Sequence, residues 1–425
     1  MHFKNRDILA EIKKLSEKTR GRIIVLTGAR QVGKSTLAKH LFPNQPYINL
    51  DSPLEREVYS KMSTAQWLAE YPCVTIDEVQ KSPQIFNEVK ACYDRDEKCH
   101  FLLLGSSQVL LLKGIQETLA GRAAIRELYP FTLPELMGLP DSKTESLLMG
   151  CLSNDDPMDY IEKNMKKDDV LGKMYALSSK WWDYYLKWGG MPSLLQEDWD
   201  DNDRFEWLQD YHKTYLQRDL LDLANLEQLE PFVRAQRTAA LRTSERVNYS
   251  DLARASDISA PTAKKFLRYL EVSYQVILLP AWHRNSEKRL SKMPKLHFLD
   301  PGICRIIRQK RGDVSGHELE TALVSEVYKQ IKNARIPIDL YHIRSSDGRE
   351  VDLLLEREDG YIAIECKQTI KTSKKDSRHL RGLHEVLDKP LLLSIVVSND
   401  IDLRVEKFAE EKVIYCSFSR LLGLV

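Results

Sequence analysis

At 425 residues the chain is too long for one compact core and should divide into two to four domains. Its 63 Lys/Arg against 62 Asp/Glu and 43% hydrophobic content are those of an ordinary soluble globular protein, and the net charge of +1 by itself points to no polyanion partner. No apolar run is long enough to span a bilayer, and the charged amphipathic start MHFKNRDILAEIKKLSEKTRGR is not a secretory signal, so a cytoplasmic protein with no membrane partner is expected.

The seven cysteines are odd in number and scattered, which fits reduced thiols. Cys92 and Cys99–His100 come closest to a metal cluster, but no second ligand pair completes one. The first motif is RIIVLTGARQVGKSTLAKHLF. An apolar strand from Ile23 to Thr27 leads into Gly28, Ala29, Arg30, Gln31, Val32, Gly33, Lys34 and Ser35, which match G-x-x-x-x-G-K-[ST], and then into a helix with Thr36 in its first turn. The two glycines let backbone N–H groups turn toward phosphate oxygens at a helix N-terminus. Lys34 would reach the β- and γ-phosphates of ATP, and Ser35 would bind Mg2+.

A second strand, PCVTIDEVQKSP, ends in Asp77 and Glu78. Asp77 is the expected carboxylate on the metal side, and Glu78 the expected base that polarises the attacking water. A third, HFLLLGSSQVLLL, ends at Ser106 and Ser107. Ser106 is the preferred sensor of the γ-phosphate. Arg122 follows a glycine in ETLAGRAAIRELYPFTLPEL. It is either an arginine finger acting on a neighbouring subunit, which would require a homo-oligomer, or a structural ion pair. Three strands ending in chemistry fit an open α/β sheet with its ligand at the C-terminal strand ends.

With GARQVGKST, IDEVQK, LLLGSS and LAGR…LYPFTLPEL together, the chain resembles prokaryotic AAA-type ATPases, related to AAA+ and STAND ATPases, that carry a restriction-endonuclease-like C-terminal domain. The resemblance extends to KWGGMPSLL and YLQRDLLDLANL, and implies that Arg218 lies near the nucleotide from a helical lid. The stretch from Ser142 to Met174 carries none of these motifs and reads as a charged insertion before the lid.

The near-zero net charge hides a polarity. From Asp141 to Phe232 there are 20 Asp/Glu and 10 Lys/Arg, a local net of −10. From Arg234 to Arg311 there are 17 Lys/Arg and 6 Asp/Glu, a local net of +11. A basic block of one module's length is either an electrostatic footprint for nucleic acid or a solvated or docking face. Within it, NYSDLARASDISAPTAKKFLRYLEV reads as helix, tight turn and helix. Ala263, Phe266, Leu267 and Leu270 share one face of the second helix, with Thr262, Lys264, Lys265 and Arg268 toward the other. Two strands, YQVILLPAW and KLHFLD, flank the basic hairpin HRNSEKRLSKMP, which holds Arg289. That order predicts a winged helix whose basic residues contact DNA phosphates.

Near the C-terminus GHELETALVSEVYKQIKN reads as a helix. GREVDLLLER and GYIAIECKQ then form a hairpin. Asp352 and Glu365-x-Lys367 have the order and spacing of the PD-(D/E)xK nuclease motif, with Glu320 ahead of them on the helix. Asp352 and Glu365 would hold magnesium, Glu320 would complete its shell, and Lys367 would stabilise developing phosphorane charge. The same charges also fit a salt-bridge network on a nuclease-like scaffold.

The expected fold class is therefore α/β: a parallel P-loop NTPase sheet (1–140), an acidic insertion with a helical lid (141–232), a basic winged helix (233–311) and a PD-(D/E)xK-like α/β domain (312–425). The expected function is a Mg2+-dependent ATPase acting as a motor or switch on DNA. The alternatives are an ATP-regulated metal-dependent nuclease and a nucleotide switch that docks protein partners.

Overall fold

A computed structural model of the chain describes all but residues 1–3, 106–110, 112–113, 116, 139–145, 166–171, 225–228, 346–347, 410 and 425. The N-terminal sheet holds β1 (Ile23–Thr27), β2 (Tyr47–Asn49), β3 (Cys73–Asp77), β4 (His100–Gly105) and β5 (Ala123–Glu127). All five are parallel, in the order β2-β3-β4-β1-β5. Every residue of β1 is buried, as a central strand covered on both faces requires. Alternation sends Ile24 and Leu26 toward α1 (Ile8–Ser16) and α2 (Lys34–Leu41). It sends Ile23 and Val25 toward α3 (Pro53–Ser60), α4 (Thr64–Glu70) and α5 (Gln84–Arg95).

After β5 come α6 (Leu133–Met137), α7 (Leu147–Ser153), α8 (Pro157–Met165), α9 (Lys173–Trp188) and α10 (Asp201–Ala224). The expected charged insertion is only partly that. Leu147, Leu148, Cys151 and Leu152 are buried in the core of the C-terminal sheet. Ser146 bridges to Leu424, and its hydroxyl donates to Gln330 Oε1 at 2.6 Å. The flanking charges mask this short apolar run, which needs a distant sheet to bury it.

The basic block forms α11 (Leu229–Leu241), α12 (Tyr249–Ser256) and α13 (Ala260–Val272). Asp257 ends α12 in a left-handed conformation, and the Ser259 side chain with Pro261 opens α13, so the turn chemistry is local. Strands β6 (Val276–Leu279) and β7 (Lys295–Phe298) pair antiparallel. Residues 244–247 add against β7 through Ser244 N–H to Leu296 O at 2.6 Å and Val247 N–H to Pro294 O at 2.8 Å. The segment expected to be a plain basic hairpin instead contains α14 (Ser286–Ser291), capped by Asn285. α15 (Pro301–Ile307) follows.

The C-terminal unit has α16 (Gly316–Ala334), then β8 (Asp339–Arg344), β9 (Glu350–Glu356), β10 (Tyr361–Cys366), β11 (Leu391–Ser398), β12 (Arg404–Phe408), β13 (Glu411–Ser417) and α17 (Phe418–Leu422). Its sheet order is β12-β13-β11-β10-β9-β8. β8, β9 and β10 form an antiparallel meander, while β10, β11 and β13 run parallel.

The units are joined through backbone. Trp282 N–H donates to His342 O at 2.7 Å and His342 N–H to Pro280 O at 3.0 Å, so the chain after β6 extends the edge of the C-terminal sheet at β8. At the other join, Glu326 Oε1 on α16 accepts the Leu133 N–H at 2.6 Å and Lys329 Nζ donates to Phe131 O at 2.8 Å. Gly190 packs on that same loop. A Cβ there would lie 2.3 Å from Phe131 O, and its carbonyl accepts the Phe131 N–H at 2.7 Å, which accounts for a glycine in KWGGMPSLL. No described helix is long and apolar enough to cross a membrane.

Candidate functional site

The loop between β1 and α2 has the backbone that its sequence demands. Gly28 has φ 148°, and a Cβ there would meet Leu128 O at 2.1 Å, so only glycine fits beside the end of β5. Gly33 caps α2 at φ 96° with no side-chain cap, leaving the first-turn amides directed at the loop. Buried Lys34 lies over the loop, its Nζ donating to the carbonyls of Gly28 at 2.9 Å and Ala29 at 2.7 Å. Arg6 fastens the loop from the N-terminal segment: Nη1 donates to Val32 O at 3.1 Å, while Nε pairs with Glu135 at 3.0 Å.

Ser35 Oγ donates to Asp77 Oδ2 at 2.6 Å. This brings together the hydroxyl and the carboxylate that the sequence assigns to magnesium, and the pair suits a hard cation that takes oxygen ligands. Asp77 Oδ1 accepts the Glu78 N–H at 2.9 Å. Glu78 adopts φ 55°, an uncommon left-handed conformation for glutamate, and its Oε2 accepts from Gln80 Nε2 at 2.5 Å. Strained backbone of this kind collects at functional sites.

Sequence reasoning missed one member of this group. The Tyr47 hydroxyl, from β2 beside β3, also donates to Asp77 Oδ2. Burial first, then Asp77, push the phenol pKa up, so it stays a donor. Nothing in YINLD marks it, because its role depends on the pairing of an edge strand. Removing the hydroxyl leaves Asp77 with one donor fewer, and a hydrogen bond to a charged group contributes about 1.5–3 kcal/mol. Tyr47→Phe should therefore lower magnesium-dependent ATP turnover about tenfold and raise the Mg2+ needed for half-maximal rate. A magnesium titration of turnover checks this.

Ser106 and Ser107 lie outside the described residues. Arg122 sits just before β5, at the end of the sheet away from the phosphate loop, and holds both oxygens of Asp94 at 2.9 and 3.2 Å. Within the chain Arg122 thus makes the structural ion pair that was one of its two readings. Arg218 falls in the part of α10 whose side chains lie outside the described residues. α10 itself does touch the loop: Tyr211 donates its hydroxyl to Arg30 O at 3.4 Å.

The basic face of α13 divides. Lys264, Lys265 and Arg268 are exposed, Arg268 pairing with Glu271 at 2.5 Å, while Thr262 is half-buried at the helix start and shares a hydrogen bond with Ser259. Arg289 is not part of that face. It pairs with Glu356 at 2.7 Å and Asp388 at 3.5 Å, and lies over the rings of Trp282 and Tyr341. It clamps α14 to the C-terminal sheet and is unavailable to phosphate. The helix inside the expected hairpin is what turns it inward.

In the C-terminal unit the four motif residues do come together. Glu320, Asp352 and Glu365 are largely buried, and Lys367 Nζ pairs with Glu365 Oε1 at 2.6 Å. His379 Nδ1 lies 3.6 Å from the same oxygen, and its pKa is raised by the hydrogen bond to Glu365. Asp352 Oδ2 accepts the Cys366 N–H at 2.9 Å. The unforeseen member is Lys295, the first residue of β7. Its ammonium lies 2.9 Å from Glu320, 3.0 Å from Glu350 and 3.2 Å from Asp352. Burial pulls its pKa down, but Glu320, Asp352 and Glu350 outweigh that, so Lys295 stays charged. His297 is driven the other way, by burial and then by Lys295, and stays neutral. Among the described residues, no group of three or more His, Cys, Asp or Glu side chains is arranged to hold a metal ion.

Residues 20–137 match a family described as AAA domain. That match agrees with the loop, Ser35 and Asp77 arranged as above on a parallel five-stranded sheet, so the N-terminal unit resembles a P-loop domain of the AAA type. Residues 179–313 and 315–417 match two families described as domains of unknown function, DUF8612 and DUF4143. The uncharacterized proteins Rv2008c of Mycobacterium tuberculosis and Mb2031c of Mycobacterium bovis are each 24% identical over 389 residues, which is 90% of this chain and 77% of theirs. Among solved structures, the Walker-type ATPase of Pyrococcus abyssi overlaps at TM-score 0.43 and 15% identity, over 70% of this chain and 95% of that one. A STAND protein with a tetratricopeptide repeat sensor from Pyrococcus horikoshii overlaps at 0.28 and 14% identity, over 79% and 46%.

The AAA domain is wired to the basic unit at the base of its phosphate loop. Tyr274, at φ 61° just after α13, donates its hydroxyl to Glu127 Oε1 at 2.9 Å, with Thr27 Oγ1 at 3.4 Å. Thr27 and Glu127 are partners at the ends of β1 and β5. The turn between α13 and β6 therefore contacts the residue just before the loop that begins at Gly28.

Proposed function

We propose that the protein is a magnesium-dependent ATPase that works as a switch on DNA, with the basic α11–α15 unit as a winged helix that carries the DNA contact. The observation that carries this reading is the Tyr274 link between the phosphate loop and a helix presenting Lys264, Lys265 and Arg268 to solvent. Mg2+ held by Ser35 and Asp77 would neutralise charge on the β- and γ-phosphates of bound ATP. Lys34 would swing from the Gly28 and Ala29 carbonyls to the γ-phosphate, and Glu78 would take up a proton from the attacking water. The change in loop geometry would pass through Thr27 and Glu127 to Tyr274, and so to α13.

The test is ATP turnover of the full chain with and without duplex, forked and single-stranded DNA over a range of salt. Stimulation by one of these, weakening steeply with salt and lost in Lys264→Ala/Lys265→Ala, is the expected result. Turnover indifferent to every DNA, together with no DNA binding at low salt, would leave a nucleotide switch that docks protein partners.

A further inference from the structure

The acidic cluster of the C-terminal unit has the residues of a nuclease centre but not its chemistry. Three carboxylates, Glu320 on α16 with Glu350 and Asp352 on β9, converge on one point, and that point is filled by Lys295 Nζ from a different unit. The distances, 2.9 to 3.2 Å, are those of ammonium hydrogen bonds. Magnesium would need its oxygens at about 2.0–2.1 Å. An ammonium has three protons and no acceptor, and three carboxylate oxygens match it one for one. Of the other oxygens, Asp352 Oδ2 accepts the Cys366 amide and Glu365 Oε1 accepts from Lys367, while Glu365 Oε2 is buried without a partner.

Lys295 is not a mobile surface side chain that has folded over the site. It is only 3% exposed, stands at the start of β7 paired with Leu279, and is held by the 244–247 segment on its other side. Its neighbour His297 lies against the same helix, with Thr321 at 3.4 Å and Glu320 at 4.0 Å. Arg289, from the segment just before, repeats the arrangement with Glu356 and Asp388. Two cations of the basic unit thus enter two acidic sockets of the C-terminal sheet.

We propose that Lys295 is a built-in cation that takes up Glu320 and Asp352, two of the carboxylates the motif would offer a divalent ion, and converts a nuclease-like cluster into the socket that fixes the basic unit to the C-terminal sheet. Metal-dependent cleavage by Glu320, Asp352, Glu365 and Lys367 is then not an activity of the folded chain. Because this rests on the C-terminal cluster alone, it is independent of the ATPase reading.

The test is uptake of Mn2+ by the nucleotide-free full chain, followed by the electron paramagnetic resonance of the free ion, in wild type, Asp352→Asn, Lys295→Met and Lys295→Met/Asp352→Asn. Wild type and Asp352→Asn should take up the same amount. Lys295→Met should gain about one ion per chain, lost again in the double variant, because the freed oxygens then suit a hard cation. Uptake by wild type that Asp352→Asn abolishes, or plasmid cleavage by wild type that Lys367→Ala abolishes, would overturn the proposal. So would a folded Lys295→Met that gains no ion. The first two comparisons need no lysine variant, so they decide even where Lys295→Met does not fold.

Discussion

Glu78→Gln should bind ATP as wild type does and hydrolyse it about 10^2- to 10^4-fold more slowly, the usual worth of a positioned general base. The geometry separates the two effects. In the proposed function nucleotide affinity would come from the Gly28–Ser35 backbone, Lys34 and the α2 N-terminus, none of which the substitution touches. Glu78 is held instead by its own left-handed backbone, by the Asp77 carboxylate on its N–H and by Gln80 on its side chain. The glutamine keeps the size and can still meet Gln80, but cannot accept a proton. Binding of a fluorescent ATP analogue and single-turnover hydrolysis measure the two arms. Unchanged turnover would remove Glu78 from the reaction, and a parallel loss of binding would mean that the side chain shapes the loop instead.

The second large effect concerns stability. Lys329→Met should destabilise the chain by about 3–5 kcal/mol, because it strands Glu326 as a buried, uncompensated charge. Both side chains are fully buried, with Lys329 Nζ 3.1 Å from Glu326 Oε2, 2.8 Å from Phe131 O and 4.4 Å from the Tyr185 ring centre. Burial pulls the lysine pKa down, but Glu326 and then Tyr185 more than restore it, so the lysine stays charged. Glu326 Oε1 meanwhile accepts from Leu133 N–H and Gln330 Nε2. The pair therefore holds Phe131 and Leu133 in the segment that follows β5. In Lys329→Met/Glu326→Gln the loss should shrink, since no charge is left unpaired. Urea unfolding of the two variants beside wild type reads the difference. A Lys329→Met transition that coincides with wild type would show that this join does not hold the two units.

The phosphate loop was legible because its chemistry is written in consecutive residues. A tight turn needs Gly28 and Gly33, a helix must follow, and Lys34 and Ser35 can only stand at its start. Asp77 and Glu78 were legible for a related reason: an apolar parallel strand broken by two acids has to end where the ligand binds. The turn before α13 was readable from Asp257, Ser259 and Pro261, which act on the backbone nearest them. The motif acids Asp352 and Glu365 were placed correctly on neighbouring strands, since strand alternation fixes their face.

What sequence reading got wrong or left out lies wherever a side chain is claimed by a partner far along the chain. Arg289 looked like a phosphate contact because its neighbours are basic. Glu356 and Asp388, nearly seventy and a hundred residues away by the numbering, take it inward. Tyr47 gained its role from the edge pairing of β2 with β3. The run LLMGCL, hidden among charges, is buried by a sheet formed two hundred residues later.

The sequence by itself determined a glycine-rich loop running into a helix and a carboxylate at a strand end, because local backbone geometry and strand endings dictate both. Only the tertiary structure decided what the C-terminal acids face. Charge says that three clustered carboxylates need a cation, but not which one, and the fold answered by bringing Lys295 from another unit to within hydrogen-bond reach of all three.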